Sequence, residues 1–222
     1  MEASSKVEGP RFATERGSRP ALGPADVQFV PTPVADPGPL GLAAFALTTF
    51  VLSMFNAGLM GSGGEPVVFG LALAYGGVAQ FAAGMWEFRA GNTFGATAFT
   101  SYGAFWLSFW AYVEFFAADV GKADAGHAVG LYLIAWGIFT LYMFVASLRT
   151  TAAIATVFLL LTATFIALGI GDAGGHTSIT HLGGWLGLAT AAAAWYASFA
   201  VVTNSTFGRI VLPVGSLRRT DI

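Results

Sequence analysis

Hydroxyl side chains recur along one stretch of the sequence at a spacing that places them near one face of a helix. They are Thr93, Thr97, Ser101 and Ser108. A row of neutral hydroxyl groups can offer hydrogen bonds to a small solute, which suits the wall of a half-polar pore. In the alternative interpretation, each hydroxyl bonds to a carbonyl of its own helix and lines nothing.

Two amides add to the polar groups of the apolar region: Gln80 in the neighbouring segment and Asn56 further upstream. Each is either a further hydrogen-bonding group on a solute path or a tie between two helices. The ionisable residues, by contrast, fall near the ends of apolar runs. They are Glu87, Glu114, Asp172, His181 and Arg209. The middle of the membrane is therefore predicted to be uncharged, which argues against a voltage sensor or a relay of buried carboxylates.

Six apolar runs must position these side chains. They cover residues 39–60, 66–88, 94–117, 128–148, 152–171 and 180–202. As a helix, a run of about 20 residues spans a hydrocarbon core of about 30 Å. Of the 222 residues, 55% are hydrophobic and only 10% are charged, so lipid is the natural solvent of the chain. The sequence predicts an all-α integral membrane protein with six transmembrane helices.

The cationic residues fall almost entirely on one side of such a six-helix chain. The poor side carries only Lys122. The rich side carries Lys6, Arg11, Arg16, Arg19, Arg89, Arg149, Arg209, Arg218 and Arg219. Because cytoplasmic flanks of membrane helices collect Lys and Arg, both termini are predicted to be cytoplasmic.

Three regions follow from these runs. Residues 1–37 are polar and rich in proline, a composition that buries little apolar surface and predicts a disordered cytoplasmic tail. Residues 38–205 are predicted to form the transmembrane domain. Residues 206–222 are predicted to form a second cytoplasmic tail.

Composition also excludes several classes of function. A net charge of −2 without a long basic run offers no surface for nucleic acid. The chain has no cysteine and only three scattered histidines, which predicts no disulfide, no metal site and no cofactor. No nucleophile has an evident base nearby, so an enzyme is not expected.

Small residues recur at intervals that bring helices close together. Gly70, Gly77, Gly84 and Gly91 are spaced by seven residues in the second run. Gly183, Gly187 and Ala191 are spaced by four in the sixth run. Both patterns predict a helix face that meets another helix closely.

Two motifs go beyond such general patterns. The first is the segment Asp36-Pro37-Gly38-Pro39-Leu40-Gly41-Leu42. The second runs from Tyr75 to Trp106 and contains Gly91-Asn92-Thr93-Phe94-Gly95-Ala96-Thr97. Both resemble the acetate uptake transporter family, which includes bacterial succinate/acetate permeases and fungal acetate and ammonia export proteins. The first motif resembles the family signature NPAPLGL, with Asp36 in place of Asn and Gly38 in place of Ala.

The resemblance covers residues 36 to about 214 and implies a homo-hexameric ring in which each protomer has its own pore. It implies a hydrophobic constriction at Phe45, Tyr102 and Leu161. Polar groups expected along the same path are Asn56, Gln80, Thr93, Thr97 and Ser101. Glu87 and Asn92 belong to the family motif, and it stays open whether Glu87 is a structural partner of Arg89 or Asn92 or a proton site.

The resemblance therefore predicts a plasma-membrane transporter with both termini inside the cell. The expected substrates are acetate and related short-chain monocarboxylates and dicarboxylates, with succinate as a candidate, moved together with a proton. The alternatives are a passive acetate channel and an exporter of ammonia or ammonium.

Overall fold

A computed structural model describes residues 34–217. Most of the predicted N-terminal tail and the end of the C-terminal tail, including Arg218 and Arg219, lie outside these described residues.

The described part of the chain is all-helical. Its α-helices are α1 Gly38–Asn56, α2 Val67–Leu73, α3 Gln80–Ala90, α4 Thr93–Ala111, α5 Ala125–Ser147, α6 Ala152–Gly174 and α7 Thr177–Phe207. A π-helical turn at Ala74–Ala79 joins α2 and α3 into one continuous span, Val67–Ala90. A second π-helical turn, Tyr112–Phe116, follows α4.

Each of the six predicted apolar runs contains helix, and five spans among the described residues have the length and hydropathy needed to cross a membrane. These five are Gly38–Asn56, Val67–Ala90, Ala125–Ser147, Ala152–Gly174 and Thr177–Phe207. The third run, now α4, is not among them because its threonine, serine and tyrosine residues lower its mean hydropathy. The count of six spans stays a prediction.

The outer surface of these helices is apolar. On α5, Leu131, Ile138 and Val145 are 72%, 64% and 62% exposed and recur every seven residues along one side. A soluble protein would not leave such large side chains open to water, whereas lipid covers them favourably. The core instead holds aromatic and aliphatic side chains from α1, α4 and α6, among them Phe45 and Phe105.

Adjacent helices pack in pairs: α1 against α7, α5 against α6, α6 against α7, and α3 against α4. Gly187, one of the predicted small residues of α7, makes the predicted close contact, and Gly184, which was not predicted, makes another. A Cβ on Gly184 would collide with the backbone of Asn56 and Ala57 in α1, and one on Gly187 would collide with Ser53.

The glycines of the second run behave differently from one another. A Cβ on Gly84 would meet the backbone of Thr100 in α4, and one on Gly77 would meet Leu107 of the same helix. Gly70 has no heavy atom within 4 Å of its Cβ position. Gly91 has a φ of 75° and ends α3 in the left-handed conformation, which glycine adopts without steric cost. Only two of the four glycines therefore serve the predicted contact with a neighbouring helix.

This difference supplies a matched test. We expect Gly84→Ala to destabilise the protein by about 1–3 kcal/mol, because the added methyl group must push α4 away from α3. Gly70→Ala should be neutral or stabilising, since alanine favours a helix by about 1 kcal/mol over glycine. Thermal unfolding of the two variants in detergent would show this difference, and equal melting temperatures would contradict the packing described here.

Candidate substrate path

A polar mouth opens at the end of the bundle where α1 and α6 finish. One cavity of about 500 Å³ and another of about 410 Å³ share Asn56, Ser62, Glu65, Val129 and Asp172 as lining residues. His181 and Thr180 of α7 line the larger one. Neither cavity has Lys or Arg among its lining residues, so the mouth is acidic.

The path narrows from this mouth toward the middle of the bundle. The cavity of about 410 Å³ leads into one of about 40 Å³, and the two share Asn56, Leu52, Phe105, Leu133 and Leu168. A last cavity of about 20 Å³ follows and shares Phe45 and Leu161 with the one before it. The residues lining the two small cavities include no Asp, Glu, Lys, Arg or His.

Two helices line this path along its whole length. Successive turns of α1 contribute one side chain each, and α6 does the same, with both helices running toward the mouth. From α1 these are Leu42, Phe45, Thr49, Leu52 and Asn56, and from α6 Phe158, Leu161, Phe165, Leu168 and Asp172. The spacing of three or four residues keeps each set on one helix face.

The narrowest part brings together the three residues that the resemblance placed at a constriction. Phe45 and Tyr102 lie with ring centroids 5.8 Å apart, and Leu161 of α6 lines the same cavity. All three side chains are at most 4% exposed. The structure thus places them side by side, and their role in transport stays a prediction.

The hydroxyl of Tyr102 is held by a hydrogen bond that the sequence did not reveal. It lies 2.9 Å from Oγ1 of Thr140 in α5, which itself donates to the carbonyl of Trp136 at 2.7 Å. Because the Thr140 proton is committed to that carbonyl, Tyr102 is the donor. The rings of Trp136, Phe139 and Phe158 surround the phenol and fix its orientation.

The predicted polar groups fall into two sets. Gln80 lines the smallest cavity and Asn56 lines the mouth. Thr97 and Ser101 are half-buried, Thr93 is exposed, and none of these three lines the four cavities described above. Their contribution to a solute path remains a prediction.

Ser108, on the same hydroxyl row, follows the alternative interpretation in part. Its hydroxyl donates to the Phe105 carbonyl at 2.9 Å, one turn back along α4. It also lies 2.7 Å from the hydroxyl of Tyr132 in α5, so it ties two helices together.

The signature motif starts α1 and fastens it to its neighbours. Oδ1 of Asp36 accepts the N–H of Gly38 at 2.8 Å, a contact that the side-chain oxygen of an Asn can also make. The Pro39 carbonyl accepts the hydroxyl of Ser198 in α7 at 2.7 Å. Gly41 lies against the ring of Phe99, where a Cβ would come within 2.6 Å.

The other motif positions have different surroundings. Leu42 lines the smallest cavity. Leu40 is 45% exposed, and Pro37 is buried at the start of the helix.

Glu87 lies buried near the opposite end of α1 from the mouth, with only 2% of its surface exposed. Its side chain hydrogen-bonds to Asn92, whose Oδ1 accepts the N–H of Gly95 at 3.1 Å and so caps α4. A Cβ on Gly95 would lie 2.7 Å from the Glu87 carboxyl carbon, so glycine makes room for the carboxyl group. The structure pairs Glu87 with Asn92, while Arg89 is exposed. A proton-carrying role for Glu87 stays a prediction.

Comparison with known proteins bears on these features. The family model described as the GPR1/FUN34/yaaH family matches residues 20–219. The chain belongs to the GPR1/FUN34/yaaH family. It is 43% identical over 186 residues to the succinate-acetate/proton symporter SatP of Escherichia coli K12, covering 83% of this chain and 97% of that protein.

Two further relatives of this family member are informative. It is 45% identical over 207 residues to ammonia transport outward protein 2 of Saccharomyces cerevisiae, covering 91% of this chain and 72% of that protein. The solved structure of the bacterial acetate channel SatP matches it with a TM-score of 0.77 at 41% identity, covering 82% of this chain and 99% of that one.

These findings confirm the family resemblance that the two motifs carried. They place this family member among transporters and channels rather than enzymes. Together with the five apolar spans, they identify an integral membrane protein.

Glu65, in the connection between α1 and α2, is the titratable group of the mouth that lies outside the membrane spans. Burial raises the pKa of its carboxyl group, and the carboxylate of Asp172 raises that pKa further. A carboxyl group with a raised pKa favours folding while it is protonated. Its contribution is full below the ordinary value of 4.5 and is lost as the pH rises through the raised value.

We therefore expect Glu65→Gln to stabilise the protein at pH 7.5, by less than about 1 kcal/mol because the group is half exposed. The gain should vanish near pH 4, where the wild-type carboxyl group is neutral as well. Melting temperatures at both pH values, with the exposed Glu114→Gln as control, would reveal this. A gain that is the same at both pH values would contradict repulsion between Glu65 and Asp172.

Proposed function

We propose that this protein is a plasma-membrane transporter of acetate and related short-chain carboxylic acids, with succinate as a further candidate, and that a proton moves with the solute. The observation that carries the proposal is the apolar constriction of Phe45, Tyr102 and Leu161 at the narrow end of a tapering path. The succinate-acetate/proton symporter and the acetate channel among the relatives support it.

The constriction explains why a proton should accompany the solute. A carboxylate that enters a cavity of about 20 Å³ loses its hydration shell, and no cationic side chain lines this part of the path to replace it. Burying an ion under such conditions is costly, whereas a neutral acid loses far less. Simple carboxyl groups have a pKa of about 4, so the protonated fraction and the flux should grow in mildly acidic media.

The proposed topology has six spans, with α4 as the third. α4 packs against α3 and supplies Tyr102 to the constriction, so it lies inside the bundle rather than beside it. Six spans place the ends of α3, α5 and α7, with Arg89, Arg149 and Arg209, on one side. This arrangement supports cytoplasmic termini, with residues 1–37 and 206–222 as tails around a domain of residues 38–205.

The proposed assembly is a homo-hexamer in which each protomer has its own path. The exposed apolar faces of the helices leave room for contacts between protomers as well as for lipid.

Two other transport functions fit the same path. A passive acetate channel would share the constriction and lack the proton coupling, as the acetate channel among the relatives suggests. An exporter of ammonia or ammonium would use the same uncharged lining, and the yeast ammonia transport outward protein supports that candidate.

Uptake of labelled acetate by proteoliposomes distinguishes these candidates. We expect uptake at pH 6 to exceed uptake at pH 7.5, to run against the acetate gradient when an inward proton gradient is imposed, and to collapse with an uncoupler. Uptake that only equilibrates and ignores the uncoupler would indicate a passive channel. Ammonia flux without acetate flux would overturn the proposal in favour of the exporter.

Leu161→Ala should widen the constriction and admit larger acids. The relative rate of lactate over acetate uptake should rise on the order of tenfold, the usual scale for a change of a few methylene groups in an apolar pocket. Leu159→Ala, two residues away with its side chain 53% exposed, is the matched control and should leave that ratio unchanged. An unaltered ratio in the Leu161 variant would mean that this side chain does not limit solute size.

A further inference from the structure

Four buried side-chain atoms among the described residues have no hydrogen-bond partner. They are Oγ1 of Thr49, Oε1 of Gln80, Oγ1 of Thr100 and Nε1 of Trp106. Such atoms are rare in folded proteins, because each has lost its hydration without gaining a hydrogen bond. At a candidate substrate path, such atoms are available to bind a solute.

Three of the four lie on the path. Thr49 and Trp106 line the cavity of about 40 Å³, and Gln80 lines the cavity of about 20 Å³ that follows it. The two cavities meet at Phe45 and Leu161. Thr49 and Trp106 therefore lie before the constriction, and Gln80 lies at the constriction itself.

These three side chains differ in whether they donate or accept hydrogen bonds. The indole Nε1–H of Trp106 can only donate a hydrogen bond, Oε1 of Gln80 can only accept one, and the Thr49 hydroxyl can do either. A protonated carboxylic acid matches this set, because it has a carbonyl that accepts and an O–H that donates. A carboxylate has no donor and leaves the Gln80 oxygen without a partner.

We propose that Trp106 and Gln80 select the protonated form of the solute. Before the constriction, the carbonyl of the acid accepts a hydrogen bond from Trp106, with Thr49 as a second donor. At the constriction, the O–H of the acid donates to Oε1 of Gln80. This inference rests on the proposed function and adds to it the chemical form in which the acid crosses.

The proton balance of this scheme is simple. The acid takes up its proton in the water on one side, carries it through the constriction and releases it on the other side. No residue of the path has to gain or lose a proton.

The acidic mouth also favours the protonated form of the solute. The charged and titratable groups that line its two cavities are Glu65, Asp172, His181 and Tyr112. The two carboxylates lower the local concentration of anions at neutral pH and leave a neutral acid unaffected. Entry and passage thus favour the same form of the solute.

Two conservative variants test the assignment. Trp106→Phe keeps the ring and removes the N–H, while Gln80→Met keeps the length of the side chain and removes the amide. In proteoliposomes at pH 5.5, each should lower acetate uptake above the protein-free background by roughly three- to tenfold, the scale of one lost hydrogen bond. Acetamide, which has a carbonyl and N–H donors at every pH, should be carried by the wild-type protein equally at pH 5.5 and pH 7.5.

The matched control for Trp106 is Trp86→Phe, since Trp86 is 56% exposed and should leave the flux unchanged. Size-exclusion chromatography establishes that each variant is folded. If the wild-type protein carries acetate and the Trp106→Phe and Gln80→Met variants carry it equally fast, this inference is overturned and the proposed function stays intact. Absence of acetate flux in the wild-type protein would instead overturn the proposed function.

A measurement on the wild-type protein alone guards against variants that fail to fold. Passage of a neutral acid moves no net charge, so an imposed membrane potential, which would drive or oppose a crossing anion, should not change the initial rate. One proton should enter with each acetate, as an internal pH dye would record. A rate that follows the potential would show that the anion crosses and would overturn the proposed selection.

Discussion

The close approach of α7 to α1 is the contact on which the path depends. Gly184 and Gly187 have no side chains and let the backbone of α1 lie directly against α7. Near the other end, the hydroxyl of Ser198 holds the Pro39 carbonyl. Because α1 is fixed at both ends, the face that carries Phe45 is turned toward α4 and α6 along its whole length. A bulkier α7 would move α1 outward and open the narrow part of the path.

A second constraint is the neutrality of the bundle interior. Most of its hydroxyl groups are satisfied locally, as in Thr48 with the Ala44 carbonyl and Thr162 with the Phe158 carbonyl. Such residues add no polarity to the surface of their helix, because their hydrogen-bonding capacity is used one turn back. The few unpartnered polar atoms are therefore exceptions in an interior whose other polar groups are mostly hydrogen-bonded. The carboxyl groups lie toward the ends of the bundle, where Asp172 borders the mouth and Glu87 rests on Asn92.

Hydropathy and motif together predicted much of this architecture. The apolar runs located the helices to within a few residues, although α7 extends to Phe207 and α4 is too polar to qualify as a span on hydropathy alone. The family motif predicted that Phe45 and Tyr102 share a narrow point, and the structure brings their rings together. The bond from Tyr102 to Thr140 was not predicted, because it joins two distant helices and a single threonine in an apolar run gives no sign of it. Trp106 was noted only as part of the motif, because the sequence does not show that its N–H is buried without a partner. Helical spacing showed that Thr97 and Ser101 share a face, yet spacing alone does not say which helix or cavity that face meets.

The π-helical turn at Ala74–Ala79 explains why glycines of the same helix face different surroundings. Such a turn adds about one residue to the helix, which rotates everything after it by about 100° relative to everything before it. Gly70 precedes the turn and faces open space, whereas Gly84 follows it and faces α4. Gln80 is the first residue after the turn, so its direction depends on the same rotation. In evolutionary terms, the number of residues in this segment should therefore be conserved more strictly than their identity, because a single deletion would turn a whole helix face away from the path.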